Sequence, residues 1–164
     1  MKPLDVINAK RVHLARLANQ QGAAGEIQAL NNMSNWMPRP RGKELKTLLA
    51  ALRDTGISIK ASSFDAIELP YAVQVDFTDE EAVRKVLPQM IFIEVKTANQ
   101  ARVKADFSGF FFALTESEIA AADALGSRHR VALRNNLTGE TYMTSVPEII
   151  SRAKSSSWQL SVQL

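Results

Sequence analysis

Two opposite charges interrupt one of the most apolar stretches of the chain, Ile91-Phe92-Ile93-Glu94-Val95-Lys96-Thr97. The apolar and β-branched residues around them predict a strand over residues 90–97. Side chains alternate along a strand, so Glu94 and Lys96 share a face with Phe92. Ile91, Ile93 and Val95 face the other way, into the core. A buried carboxylate and a buried ammonium are unfavourable unless each has a partner. A metal site would provide one. Glu94 would give a carboxylate oxygen to a hard cation, Mg²⁺ or Mn²⁺, and the Val95 carbonyl a second oxygen. Lys96 would sit beside the attacking water and help hold it as hydroxide, while the cation lowers the pKa of that water and offsets charge developing on a phosphate. The structural alternative is an internal Glu–Lys pair, or a solvent-facing strip at a strand end.

Such a site needs a further carboxylate, and Asp65 is the first candidate. In Ser63-Phe64-Asp65-Ala66-Ile67-Glu68-Leu69, parity places Asp65 on the side of Ile67 and Leu69. An acid on an apolar face is more informative than one on a wet face. A turn or cap aspartate at the strand start is the structural alternative. Asp76 is the other candidate ligand, although it shares an exposed-looking face with Gln74. Glu68 points away from Asp65. Glu44, at the start of a strong helix, and Glu26, in a weaker one, could add an acid or lie on the surface. Gln100 and Lys104, just beyond the central strand, could touch substrate or be ordinary loop residues.

The elements that must position these residues follow from periodicity. Leu4, Ile7, Val12, Leu14 and Leu17 predict a helix over 4–20, and a second short helix fits 25–35. Pro38-Arg39-Pro40-Arg41-Gly42 is a break and a candidate hinge. Leu45, Leu48, Leu49 and Leu52 predict a helix over 43–53. Beyond it the period shortens toward two over 57–69, and 72–77 alternates as a strand. Thr78-Asp79-Glu80-Glu81 opens a short helix that ends before Pro88. Residues 110–114 predict another strand. Thr115-Glu116-Ser117-Glu118 is a capping box for a helix that Gly126 closes. Residues 130–134 and 141–144 predict a hairpin, 146–154 a last helix, and 158–162 an edge strand. Helices followed by mixed strands and helices imply an α/β (α+β) class with one mixed sheet. The division is a helical extension over 1–42 and a main domain over 43–164.

Composition narrows the function classes. The chain of 164 residues has no cysteine, which excludes disulfides, thiolate zinc sites and a cysteine nucleophile. No apolar run is long enough to span a bilayer, and the start lacks the apolar core of a signal peptide. The expectation is a soluble, cytoplasmic protein without a membrane partner. A net charge of +3 does not by itself imply nucleic acid. The bases are clustered, however. Arg39, Arg41 and Lys43, then Lys104, Arg128 and Arg130, are candidate phosphate contacts, or simply solvated positions. His129 lies between two arginines, where protonation is disfavoured, and reads as a surface or phosphate-contacting residue. Trp36 and Trp158 read as packing residues before stacking platforms. Glycine-rich phosphate loops and a nucleophile elbow are missing.

Asp65 followed downstream by Glu94-Val95-Lys96 on an apolar strand resembles the PD-(D/E)XK superfamily of nucleases. Phe64-Asp65-Ala66-Ile67, Ile93-Glu94-Val95-Lys96-Thr97 and Phe110-Phe111-Phe112-Ala113-Leu114-Thr115-Glu116-Ser117-Glu118 also resemble the protein NO VEIN C-terminal domain. The likeness covers about residues 57–135. It implies a restriction-endonuclease-like mixed sheet flanked by helices, with Asp65 and Glu94 as ligands of a divalent metal and Lys96 as the water-positioning base. It implies a nuclease acting on DNA, or sometimes RNA, in restriction or anti-phage defence. The long gap between Asp65 and Glu94 leaves Asp65 against Asp76 open. A second expectation is an inactive module of the same fold that binds nucleic acid or a protein. A homodimer or a partner subunit fits either.

Overall fold

A computed structural model describes residues 35–99, 104, 106–155 and 162–164. Among the described residues the elements run β1 (Trp36–Pro38), α1 (Gly42–Asp54), β2 (Ala66–Glu68), α2 (Glu80–Val86), β3 (Ile91–Ala98), α3 (Glu116–Leu125), β4 (His129–Asn135), β5 (Thr141–Thr144) and α4 (Val146–Arg152). The class is mixed α and β, as expected. The predicted helices over 4–20 and 25–35 lie outside the described residues, apart from Asn35, which is in a turn. So does the predicted edge strand over 158–162, apart from Val162, which is in no regular element.

The strands form one open sheet in the order β1-β2-β3-β4-β5. Three neighbouring pairs are antiparallel, and β3 and β4 are parallel. Parallel neighbours need a crossover, and the stretch from Ala98 through α3 supplies it. Glu94 stands opposite Val131 and Lys96 opposite Leu133 on β4. The sheet reaches back to Trp36, so three residues of the predicted helical extension belong to it.

The alternation predicted for β3 is present. Phe92 joins a core with Ile67, Phe64, Leu48 and Leu52 from α1, and Ala121 and Leu125 from α3. Its ring meets Phe64 edge-on, with centroids 5.1 Å apart. Ile93 and Val95 face the other way, with Ala66 and Ala132. The α1 leucines recur at helical spacing, and Leu48 and Leu52 are fully buried. Gly56, just past the helix, takes a φ of +87° that other residues avoid.

Three expected strands are corrected. Residues 57–69 form a strand only at Ala66–Glu68. Residues 72–77 form none, although Val75 and Phe77 still reach the core. Residues 110–114 are irregular too. There Phe110, Phe112 and Leu114 pack against the buried Phe107, Val131 and Leu133, and Phe111 projects into solvent. A period-two pattern reports which side of a chain is buried. It does not supply the neighbouring backbone that makes a strand. Among the described residues no helix is long and apolar enough to cross a membrane.

Candidate functional site

Asp65 lies one residue before β2, where β2 parts from β3. Its backbone N–H donates to the Ile93 carbonyl at 2.7 Å, and its carbonyl accepts from the Arg39 N–H at 2.9 Å. Beyond the paired residues the Val95 N–H needs another acceptor. Asp65 Oδ2 provides it at 2.8 Å. The side chain thus replaces a rung of the ladder, which brings a carboxylate beside Glu94.

Glu94 is 5% exposed, on the Phe92 face of β3. Lys96 Nζ lies 2.9 Å from Glu94 Oε1 and 2.9 Å from Glu118 Oε1. Glu118 is the third residue of α3 and 4% exposed. Its Oε2 accepts from the Thr115 N–H at 2.9 Å, and its own N–H donates to Thr115 Oγ1. The predicted capping box is formed, and its glutamate also serves the site. Sequence reasoning gave Glu118 only the cap. A capping glutamate is ordinarily exposed, and nothing in its local pattern marks this one as buried.

The site therefore holds three acids and one base. Burial pushes the Glu94 carboxyl up to about 9, helped by the negative charge of Asp65 and opposed by Lys96. Burial also raises Asp65, against the pull of the Val95 N–H, the proton-bearing Glu94 side chain, Lys96 and Arg39. For Lys96, burial acts downward, but Glu94 and then Glu118 outweigh it, so its pKa lies above the ordinary lysine value. At neutral pH Lys96 is an ammonium. As an ammonium it is a hydrogen-bond donor, and Glu94 and Glu118 face it. Glu94 Oε2 is buried without a hydrogen-bond partner. An orphaned carboxylate oxygen beside a second carboxylate is the donor set a hard cation accepts, and the Val95 carbonyl lies between the two charged residues of β3. Among the described residues, no group of three or more His, Asp or Glu side chains is arranged to hold a metal ion. A divalent ion at this point would have the Asp65 and Glu94 carboxylates as its side-chain donors.

The other expected residues are placed elsewhere. Asp76 is exposed, and its Oδ1 accepts from the backbone and hydroxyl of Thr78, which hold its pKa below the usual carboxylate range. It closes a turn and does not join the cluster. Glu44 is exposed in the first turn of α1. Glu68 accepts from Asn35 and from the Trp36 indole, so Trp36 is engaged in the sheet edge. Gln100 and Glu26 lie outside the described residues.

Three of the expected phosphate contacts are half-buried and make hydrogen bonds within the fold. Arg39 Nη1 donates to the Ala61 and Phe64 carbonyls, both at 2.7 Å, and ties down the approach to Asp65. Arg128 donates to the Leu87 carbonyl and Arg130 to that of Thr144. Arg41, Lys43 and Lys104 are exposed. His129 is corrected from a surface residue to a buried one, 1% exposed, with Nε2 3.1 Å from the Ser63 carbonyl oxygen. Burial holds its pKa below the ordinary value, against the pull of Ser63 and Glu118. A cleft of about 510 Å³, lined by residues that include Ala51, Asp54, Arg84, Leu87 and Arg128, contains none of the four clustered side chains.

No family model matches the chain, and neither does any curated protein or solved structure.

Proposed function

We propose that the chain is a divalent-metal-dependent nuclease that hydrolyses phosphodiester bonds, with DNA as the first substrate to test. The observation that carries this reading is the meeting of Asp65, Glu94 and Lys96 on one side of the sheet, with a carboxylate oxygen of Glu94 buried and unpartnered. A strand selected only for stability would bury hydrocarbon there, because a buried ion pair seldom stabilises more than apolar packing does. The resemblance to the PD-(D/E)XK superfamily assigns the same three residues, and the restriction-endonuclease-like fold is part of this proposal. An acid at the start of β2, Glu94 and Lys96 on the adjacent strand, and a helical crossover to a parallel strand support it.

In this reading Asp65 and Glu94, with the Val95 carbonyl, hold Mg²⁺ or Mn²⁺. The bound ion supplies Lewis acidity that activates water and offsets phosphate charge. Asp65 is pre-set by its bond to the Val95 N–H, and Glu94 would hold the ion as a carboxylate, its proton passing to solvent. Lys96 donates to the attacking water or to a phosphate oxygen, so its charge is aimed at the reaction centre. Of the expected contacts, Arg41, Lys43 and Lys104 are exposed and would face the nucleic-acid backbone.

The test is Mg²⁺-dependent cleavage of duplex and single-stranded DNA, with RNA in parallel, by wild type and by E94Q and D65N. The wild type should cut, and E94Q should be slower by roughly 10³-fold while keeping its fold. Equal rates for E94Q, or no cutting of any substrate by the wild type, would overturn the reading.

A second reading, an inactive module of this fold that binds nucleic acid or a protein, is favoured by the closed state of Lys96, whose ammonium is held by two glutamates. DNA binding with a steep salt dependence and no cleavage would select it.

A further inference from the structure

We propose that Glu118 is a positioning residue: its Oε1 holds the Lys96 ammonium in the site while Glu94 turns its carboxylate to the divalent ion. This rests on the nuclease reading above and gives it a fourth residue. Lys96 Nζ stands 2.9 Å from an oxygen of each of two glutamates, but these are not equivalent. Glu94 Oε2 is buried and receives no hydrogen bond, so this carboxyl has an oxygen to offer a cation. Both oxygens of Glu118 are engaged, Oε1 by Lys96 and Oε2 by the Thr115 N–H. Its backbone is fixed as well, through Thr115 Oγ1. Glu94 is the partner with reason to leave, and Glu118 is the anchored one.

The consequence is mechanical. Lysine is a compact charge on a flexible four-carbon stem. With Glu94 as its single partner, Lys96 would compete with the ion for that carboxylate. Once it lost the competition, it would be free to swing away. With Glu118 in place the ammonium keeps one strong, buried acceptor throughout, and its remaining protons can face water or phosphate. The fold places this acceptor through the capping box of α3, so the start of the crossover helix and the position of the lysine are set by one side chain.

The experiment compares wild type, E118Q and T115A, each with and without Mg²⁺. Gln at 118 can still accept from the Thr115 N–H, so the helix start is kept. T115A removes the hydroxyl half of the cap and leaves Glu118 on Lys96. Two readouts are taken besides cleavage: the shift of Tm with Mg²⁺, and the ¹⁵N signal of the Lys96 ammonium, assigned through K96R. In the wild type Mg²⁺ should raise Tm and leave the Lys96 signal in place. In E118Q the signal should be lost when Mg²⁺ is added. The midpoint of the Mg²⁺ response should move to at least tenfold higher concentration, and cleavage should fall by about 10²-fold. T115A should lower Tm and, because it keeps the Glu118 carboxylate, should keep the Lys96 signal and move the Mg²⁺ midpoint less than E118Q does. A wild type that responds to Mg²⁺ beside an E118Q with the same response and the same Lys96 signal would overturn the role of Glu118 alone. A wild type with no Mg²⁺ response in either readout would overturn the nuclease reading and this inference with it.

Discussion

The two halves of β3 show opposite uses of burial. At Phe92 the strand is packed in hydrocarbon, with the Phe64 ring edge-on at 5.1 Å. Two residues later, on the same face, Glu94 is buried among Asp65, Lys96 and Glu118. The first half removes apolar surface from water and holds α1 and α3 on the sheet. The second half gathers charges that must each be satisfied, and leaves one oxygen of Glu94 unsatisfied. Stability explains the first half and does not call for the second. That difference in one strand is the physical case for a functional site at its C-terminal half.

Substitutions in the two halves should separate these roles. The largest effect belongs to F92A, which should lower the unfolding free energy by about 3–5 kcal/mol through the cavity it leaves. Chemical denaturation measures this, and a loss below about 1 kcal/mol would mean that the packing around Phe92 is loose. K96M comes next. It leaves the buried Glu118 side chain without its cationic partner and should cost about 3 kcal/mol without Mg²⁺. The triple variant E94Q/K96M/E118Q should recover most of that loss, since no charge is then left uncompensated at those three positions. If the triple variant were no better than K96M, shape rather than charge would govern this half.

The pH dependence sharpens the comparison. Glu94 has a folded pKa of about 9, above its ordinary value of 4.5. A group raised in this way favours the protonated form, so its contribution is complete below about pH 4.5 and is lost as pH rises toward 9. Without divalent ions, the wild-type Tm should fall across that window, and E94Q should show a flatter profile over the same range. Parallel profiles would place the titration elsewhere. The smallest effect is expected from D79A. Asp79 caps α2 by accepting from the Glu81 and Ala82 N–H groups, so its loss should cost about 1 kcal/mol and leave cleavage unchanged.

The same contrast explains what the sequence disclosed. Helices α1 and α3, strand β3 and the β4–β5 hairpin were legible because their periodicity, caps and turn residues are local. Glu94 and Lys96 were legible because charges are conspicuous inside an apolar strand. Asp65 was legible only in part. Its burial depends on where β2 leaves β3, which is a tertiary property. β1 was not legible: three residues that end in Pro38, with Pro40 close behind, carry no pattern, and they become a strand by pairing with Ala66–Glu68. Glu118 was hidden by its own good local reason to exist, since a capping glutamate raises no question until the crossover brings it to Lys96.

The most direct test of the central claim is an anomalous difference map from crystals of the wild-type protein soaked in Mn²⁺. The account predicts a peak between the Asp65 and Glu94 carboxylates, with Glu94 released from Lys96 and Lys96 still bonded to Glu118. No peak at these carboxylates, with the Glu94–Lys96 pair intact at saturating Mn²⁺, would contradict it.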